Sequence, residues 1–419
     1  MAELPIGWLG PQGGTPLATR FLRFMASHLG GGTLVVVDDT GTHRFGVGGP
    51  EVTMVIHDPV VYWNTLRQGS VALGRDYADG LWDCDDLTTW TRILNRGLRP
   101  VTSVQDRVGQ AVAVSTDWFR RFRPPSKHVD RHNIRSHYDV SNDFFALMLD
   151  ETMMYSSAVF TRPGQSLVDA QRVKLDRLCT KLGLGPDDHV VEIGTGWGGF
   201  ACHAATHYGC RVTTTTISDA QFEYASKRVV GDGLADRVTV LNQDYRDLTG
   251  TYDKLVSIEM IEAVDWRQHD TFFRTCSGLL HERGLMALQA ITVEDRSFER
   301  AKNGTDFVRE YIFPGGCLPS LEAITRSVRR ATPLVVVDVE DIGRHYAETL
   351  RRWRDNLAGR IDEVAALGLD ERFRRLWEFY LCYCEGAFLE RHISDVQMVL
   401  AMPDWQAPMA VRDLPGPAA

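Results

Sequence analysis

Residues 190–200 read V-V-E-I-G-T-G-W-G-G-F, a short apolar run carrying one acid, followed by four glycines within six positions. The spacing of Gly194, Gly196, Gly198 and Gly199 predicts a turn that swings sharply and lets backbone approach a ligand closely. The helix that starts at Phe200 offers N–H groups that its own carbonyls cannot reach. This is chemistry for cradling a nucleotide cofactor, with Glu192 on the strand that delivers the turn. A dinucleotide needs its pyrophosphate at that helix start and an acid about 20 residues further on for its ribose. Here the second strand ends in Thr216-Ile217-Ser218, and the nearest acid, Asp219, lies just beyond it. A sulfonium donor such as S-adenosylmethionine needs no phosphate seat, and its positive sulfur favours acceptors and aromatic faces. Gln243-Asp244-Tyr245-Arg246-Asp247, after the third strand, suits the holding of an adenine, although Asp244 and Tyr245 would also serve as plain loop caps.

Two further groups carry chemistry. Glu262 lies just past the fourth strand of this region, at the carboxyl edge where open α/β sheets bind ligands. It reads as a base or as the group that orients one; a bland reading is an acid complementing a helix N-terminus. Cys384, in Tyr383-Cys384-Glu385-Gly386, would need an activating neighbour to act as a nucleophile, and a buried thiol is the simpler expectation. Eight cysteines are scattered along the chain, and Cys382-Tyr383-Cys384 fits no zinc spacing, so reduced thiols and no metal site are expected.

The elements that must position these groups follow from the pattern. Strand-like runs at 33–37, 44–47 and 52–56, then helical patterns at 59–68 and 86–97 with glycine punctuation at Gly69, Gly74 and Gly80, predict a small α+β unit over 1–100. Residues 101–136 read as a connector. From 137 to 405, strands at 189–193, 211–217, 237–241, 254–258 and 284–291 alternate with helices at 199–207, 219–230 and 265–281, and 345–395 reads as mostly helical. That alternation predicts a parallel, doubly wound α/β sheet; residues 406–419 are left as a tail. With 419 residues, more than one unit is expected, and a net charge of −9 argues against a general nucleic-acid binder. No run of about 18 apolar residues and no basic-then-apolar leader occurs. Residues 118–137 nonetheless hold Arg120, Arg121, Arg123, Lys127, Arg131 and Arg135 against one acid, Asp130, interleaved with Trp118, Phe119 and Phe122. Such a stretch suits docking on an anionic membrane surface, or is simply a solvated linker.

Taken together, the motifs resemble the cyclopropane fatty acid synthase family. The segments that carry the resemblance are His137-Tyr138-Asp139-Val140-Ser141-Asn142-Asp143-Phe144-Phe145, Met154-Tyr155-Ser156-Ser157-Ala158, the 191–199 loop, Thr216-Ile217-Ser218, Gln243 to Asp247, Tyr311-Ile312-Phe313-Pro314-Gly315-Gly316 and His345-Tyr346-Ala347-Glu348-Thr349-Leu350. Residues 69–85 resemble the N-terminal domain of the bacterial phospholipid-acting members. The resemblance implies a class I methyltransferase-like sheet with helical lid insertions and S-adenosylmethionine as donor. Tyr155, Ser156, Glu192, Gly194, Gly196, Trp197, Gly198, Thr216, Ser218, Gln221, Asp244, Tyr245 and Arg246 would bind that donor. It also implies a bicarbonate ion acting as base, held by Ser157, Glu262, Gln289, the Ile291 backbone and Tyr346.

The implied reaction is one-carbon transfer to the cis double bond of unsaturated phospholipid acyl chains, giving cyclopropanes or, alternatively, methylene- or methyl-branched chains. An alkene is a weak nucleophile and the resulting carbocation is quenched by water, so a dry pocket is required. Tyr155, Phe160, Tyr311, Phe313 and Tyr346 are candidates to line it, or ordinary core residues. Three positions depart from the commonest family pattern: Ser157 for cysteine, Gln289 for histidine, and Ala263 for the histidine that usually follows the acid. Glutamine donates a hydrogen bond but carries neither proton nor charge. These departures resemble a branch that makes methyl- or methylene-branched products. A homodimer, a bilayer partner, and a cytoplasmic, peripherally membrane-associated location complete the implied picture.

Overall fold

Runs of β-branched residues build two separate sheets. The computed structural model describes residues 11–27, 29–98 and 141–406. The basic segment with Trp118, Phe119 and Phe122, the motif residues His137 to Val140, and residues 407–419 of the expected tail lie outside the described residues.

The first unit runs α1 (Pro11–Ala26), β1 (Thr33–Asp38), β2 (Gly41–Gly46), β3 (Glu51–Ile56), α2 (Val60–Gln68), α3 (Ser70–Ala78), β4 (Trp82–Cys84) and α4 (Leu87–Leu98). Its four strands are ordered β2-β1-β3-β4. The three expected strands are present. Helix α3 corrects the reading of Gly74 as punctuation: a Cβ there would sit 2.1 Å from the Phe307 ring, so this glycine permits close packing inside a helix. Helix α1 went unread because Pro11, Gly13, Gly14 and Pro16 punctuate its start, and β4 because it is only three residues long.

The second unit runs α5 (Asn142–Met148), α6 (Leu167–Leu182), β5 (His189–Ile193), α7 (Gly199–Tyr208), β6 (Arg211–Thr216), α8 (Asp219–Gly231), β7 (Val238–Asn242), β8 (Tyr252–Ile258), α9 (His269–Gly278), β9 (Leu280–Val293), α10 (Asp295–Ala301), α11 (Leu321–Ala331), β10 (Val335–Asp341), α12 (Gly343–Ala358), α13 (Ile361–Ala366), α14 (Glu371–Leu389) and β11 (Ile393–Ala401). The seven strands are ordered β10-β11-β9-β8-β5-β6-β7. Strands β5 to β9 run parallel as expected, but the sheet is mixed, because β11 pairs antiparallel with both β9 and β10. The expected helical run 345–395 thus ends in a strand. Its pattern was hidden because Asp395 and Gln397, polar residues within I-S-D-V-Q-M-V-L-A, are fully buried.

One apolar layer joins α6 and α7 to a sheet face, and another joins α9 and α11 to the opposite face. A third core binds the first unit to α5, α12 and α14. Phe379 of α14 packs against the rings of Tyr77, Trp82, Trp90 and Phe307 at 4.8–6.2 Å. Gly386 brings α14 onto α4, where a Cβ would meet Thr91 at 2.7 Å. No described helix is long and apolar enough to cross a membrane.

Candidate active site

At the switch point of the sheet, where strand order reverses between β5 and β8, the glycine turn leaves β5. Gly194, Gly196 and Gly198 take φ of 103°, 51° and 82°, which side chains disfavour. The Gly194 and Thr195 N–H groups both donate to the Thr215 carbonyl, at 3.1 and 3.0 Å, and pin the turn to β6. A Cβ on Gly196 would meet nothing within 4 Å, so the crest of the turn faces open space. Below it, the Glu192 carboxylate is buried and accepts from Thr214 Oγ1 at 2.6 Å; burial pushes it up to about 8. On the next strand, Thr216 Oγ1 donates to Gln221 at 2.9 Å and Ser218 caps α8. Asp244 caps the turn at 245–247 and pairs with Arg246 at 2.7 Å, while Arg246 reaches Gln268 and lies 5.5 Å from the Tyr245 ring. The Trp197 side chain turns away from the crest: it donates to Asn142 at 2.8 Å and packs 4.9 Å from Phe145, leaving its backbone to the loop.

Beside the turn lies a buried polar hub centred on Glu259, a residue the sequence reading passed over. One of its oxygens, Oε1, accepts from the Ser157 N–H and from Gln289 Nε2, both at 2.8 Å. The other, Oε2, accepts from the Tyr346 hydroxyl at 2.7 Å. The second Gln289 amide hydrogen goes to Asp395 Oδ2 at 3.0 Å, and Gln289 Oε1 accepts from Gln397 at 3.1 Å. Glu262 accepts from the Ile291 N–H, and its other oxygen is buried without a hydrogen-bond partner among the described residues. Burial and the Glu259 charge push Glu262 up to about 8. Asp395 is raised well above the usual carboxylate range, by burial and then by Glu259 and Glu262, and burial raises Glu259 too, against the lowering effect of its donors. Lys174 is fully buried, donates to Ser156 Oγ at 2.7 Å, and is pushed down to about 8 by burial against the opposing pull of Glu259, Asp395, Asp150 and Glu192. Glu259 sits at φ 48°, left-handed backbone that costs a non-glycine residue roughly 1–2 kcal/mol.

An aromatic wall encloses the hub. Tyr155 meets Phe145, Phe313 and Trp353 at 5.2, 6.1 and 5.3 Å and shares a 3.1 Å hydroxyl contact with Tyr380. Tyr346 stacks on Phe388 at 4.5 Å. Ser157, Gln289, Ile291, Glu262 and Tyr346 thus meet within one hub, with Tyr155 and Ser156 at its edge. Phe160 and Tyr311 pack against the same core, Tyr311 at 5.5 Å from Phe307. Cys384 stands apart from the hub on α14; burial pushes its thiol up, with Asp306 and Cys382 adding to the effect, which is the opposite of activation. Besides Glu259, the sequence reading missed Lys174, Asp395 and Tyr380. The pair Glu259-x-x-Glu262 at a strand end was the available signal for the first; an acid inside an otherwise apolar strand was the signal for Asp395.

Residues 125–398 match the family described as mycolic acid cyclopropane synthetase. The chain belongs to that family. It is 38% identical over 417 residues to the tuberculostearic acid methyltransferase UfaA1 of Mycobacterium tuberculosis, covering 96% of this chain and 94% of that one. It is 35% identical over 347 residues to the cyclopropane-fatty-acyl-phospholipid synthase of Escherichia coli, covering 83% and 87% respectively. The solved mycolic acid cyclopropane synthase CmaA1, complexed with SAH and CTAB, superposes with a TM-score of 0.60 at 30% identity, covering 65% of this chain and 98% of that one. This family member is an S-adenosylmethionine-dependent methyltransferase of class I fold that modifies lipid acyl chains.

The residues present fit the donor. The open crest at Gly196 gives it room, and the aromatic faces and hydrogen-bond acceptors beside it suit a sulfonium. A bicarbonate ion fits poorly. Of the donors assigned to it, Ser157, Gln289 and Tyr346 already end on Glu259, and Ile291 ends on Glu262. An added anion would find these donors occupied and two acids facing it.

Proposed function

We propose that this enzyme adds a one-carbon unit from S-adenosylmethionine to the cis double bond of unsaturated phospholipid acyl chains and releases a methylene-branched chain, which a separate reduction would convert to a methyl branch. The observation that carries the reading is the aromatic cluster of Tyr155, Phe313, Tyr346, Trp353 and Phe388 packed beside a buried carboxylate hub and the glycine turn. Such a cluster would keep a carbocation from water, and each aromatic face offers it about 0.5–2 kcal/mol. The turn and Glu192 would hold the donor, Tyr155 and Ser156 would close on it, and the hub would receive the proton that the cation must shed.

Branching rather than ring closure is supported by the near full-length likeness to a tuberculostearic acid methyltransferase, together with Ser157, Gln289 and Ala263. Cyclopropane formation is the second reading, favoured by the likeness to the Escherichia coli synthase. Incubating the purified chain with S-adenosylmethionine and oleoyl phospholipid vesicles should add one CH₂ to the acyl mass. Fragmentation then separates branch from ring, and no mass gain refutes both.

A further inference from the structure

We propose that Glu259 is the resident base of this enzyme, its carboxylate occupying the seat that the family resemblance gives to a bicarbonate ion. The proposal rests on the acyl-transfer reading above and names the group that ends that reaction.

The geometry excludes the neighbours one by one. Ser157 Oγ is spent on the Ala158 carbonyl at 3.0 Å, and only its N–H faces the hub. Gln289 has no proton to exchange and spreads its two amide hydrogens over Glu259 and Asp395. Tyr346 donates its proton to Glu259, so it serves the carboxylate rather than competing with it. Lys174 points at Ser156. Burial pushes all three acids, Glu262, Asp395 and Glu259, up. Glu262 accepts only from the Ile291 backbone among the described residues, whereas Glu259 is held by three donors, which pull it back toward the charged form. Its left-handed backbone is a conformation that glycine takes freely, so a carboxylate is retained where the backbone favours having no side chain.

The step balances as follows. The alkene electron pair forms a bond to the donor methyl as the carbon–sulfur bond breaks, leaving a neutral thioether and a carbocation on the chain. Glu259 then takes one hydrogen of the new methyl as a proton. The C–H electron pair becomes the exocyclic double bond of a methylene branch if a hydride shift has come first, or the closing ring bond if it has not. The proton passes to water after product leaves.

The test uses the full chain, S-adenosylmethionine and oleoyl phospholipid vesicles, in carbonate-stripped buffer and in buffer with added bicarbonate. The wild-type chain should turn over equally in both. Glu259→Gln should lose about 10²–10⁴-fold in turnover while keeping donor affinity by calorimetry. Glu259→Gly, suited to the local backbone, should fold, turn over poorly in stripped buffer, and regain rate with bicarbonate as the vacated donors take the ion. A wild-type chain that requires bicarbonate, or a Glu259→Gln variant near the wild-type rate, overturns the assignment. If Glu259→Gly gains nothing from bicarbonate while binding donor normally, the shared-seat argument fails. Absence of any wild-type acyl mass gain instead defeats the function itself, and the base with it.

Discussion

Tyr346 reaches Glu259 from α12 with a single hydroxyl, and that bond can be removed without changing the ring that stacks on Phe388. Tyr346→Phe should lower kcat by about tenfold, the worth of one hydrogen bond to a charged group, while donor affinity by calorimetry stays level. Lys174 is a different case. It opposes several buried carboxyls, and Lys174→Met would leave them uncompensated, at a cost of about 3–5 kcal/mol read as a fall in melting temperature. His269 gives a pH signature. Burial lowers it to about 4 from the 6.5 of an unfolded chain, so between these values the unfolded state binds more protons. Stability is therefore intact above about pH 6.5 and drains as pH falls toward 4. Denaturation midpoints at pH 7 and pH 5 should draw together in His269→Gln. Residues such as Glu192 and Glu262 were legible because spacing from glycines and strand ends is local. Glu259 was not, since only tertiary contact reveals that donors from the 154–158 segment, β9 and α12 converge on it.

At the scale of elements, the strands that alternate with helices were readable from their own periodicity, and β5 to β9 lie close to where the pattern put them. Strands β10 and β11 were not. Strand β10 shows water the exposed faces of Val335, Val337 and Val339, while β11 buries Asp395 and Gln397, so each inverts the rule that hides apolar residues and exposes polar ones. Those inversions are tied to the site, because Asp395 and Gln397 both bond Gln289. Helix contacts were illegible for a related reason: glycines at a crossing look like breakers. Gly386→Ala should force Thr91 aside, 2.7 Å away, and cost about 1–3 kcal/mol, seen as a lower melting temperature with α14 still helical by circular dichroism.

For the whole molecule, a net charge of −9 coexists with the basic, aromatic stretch at 118–137. We propose that this stretch docks the enzyme on anionic bilayers, each basic residue adding about 1 kcal/mol. Co-sedimentation with anionic vesicles should weaken in high salt and in the Arg120→Ala, Arg121→Ala, Arg123→Ala variant; binding unchanged by both would retire the idea. A homodimer remains a proposal of the same standing, checked by sedimentation velocity. Helix α14 ties the site to the amino-terminal unit. Tyr380 of this rod touches Tyr155 at the aromatic cluster. Arg375 holds the Tyr77 and Trp82 carbonyls at 2.7 and 3.0 Å, and Glu385 accepts from Thr88 at 3.0 Å. The amino-terminal unit is therefore a buttress, not a detachable appendage. Shortened versions of this protein beginning near residue 141 would bare Phe379 and Phe307, turning a keel into a sticky flank. Engineers seeking a minimal catalyst should expect clumping unless that flank is repainted with polar side chains.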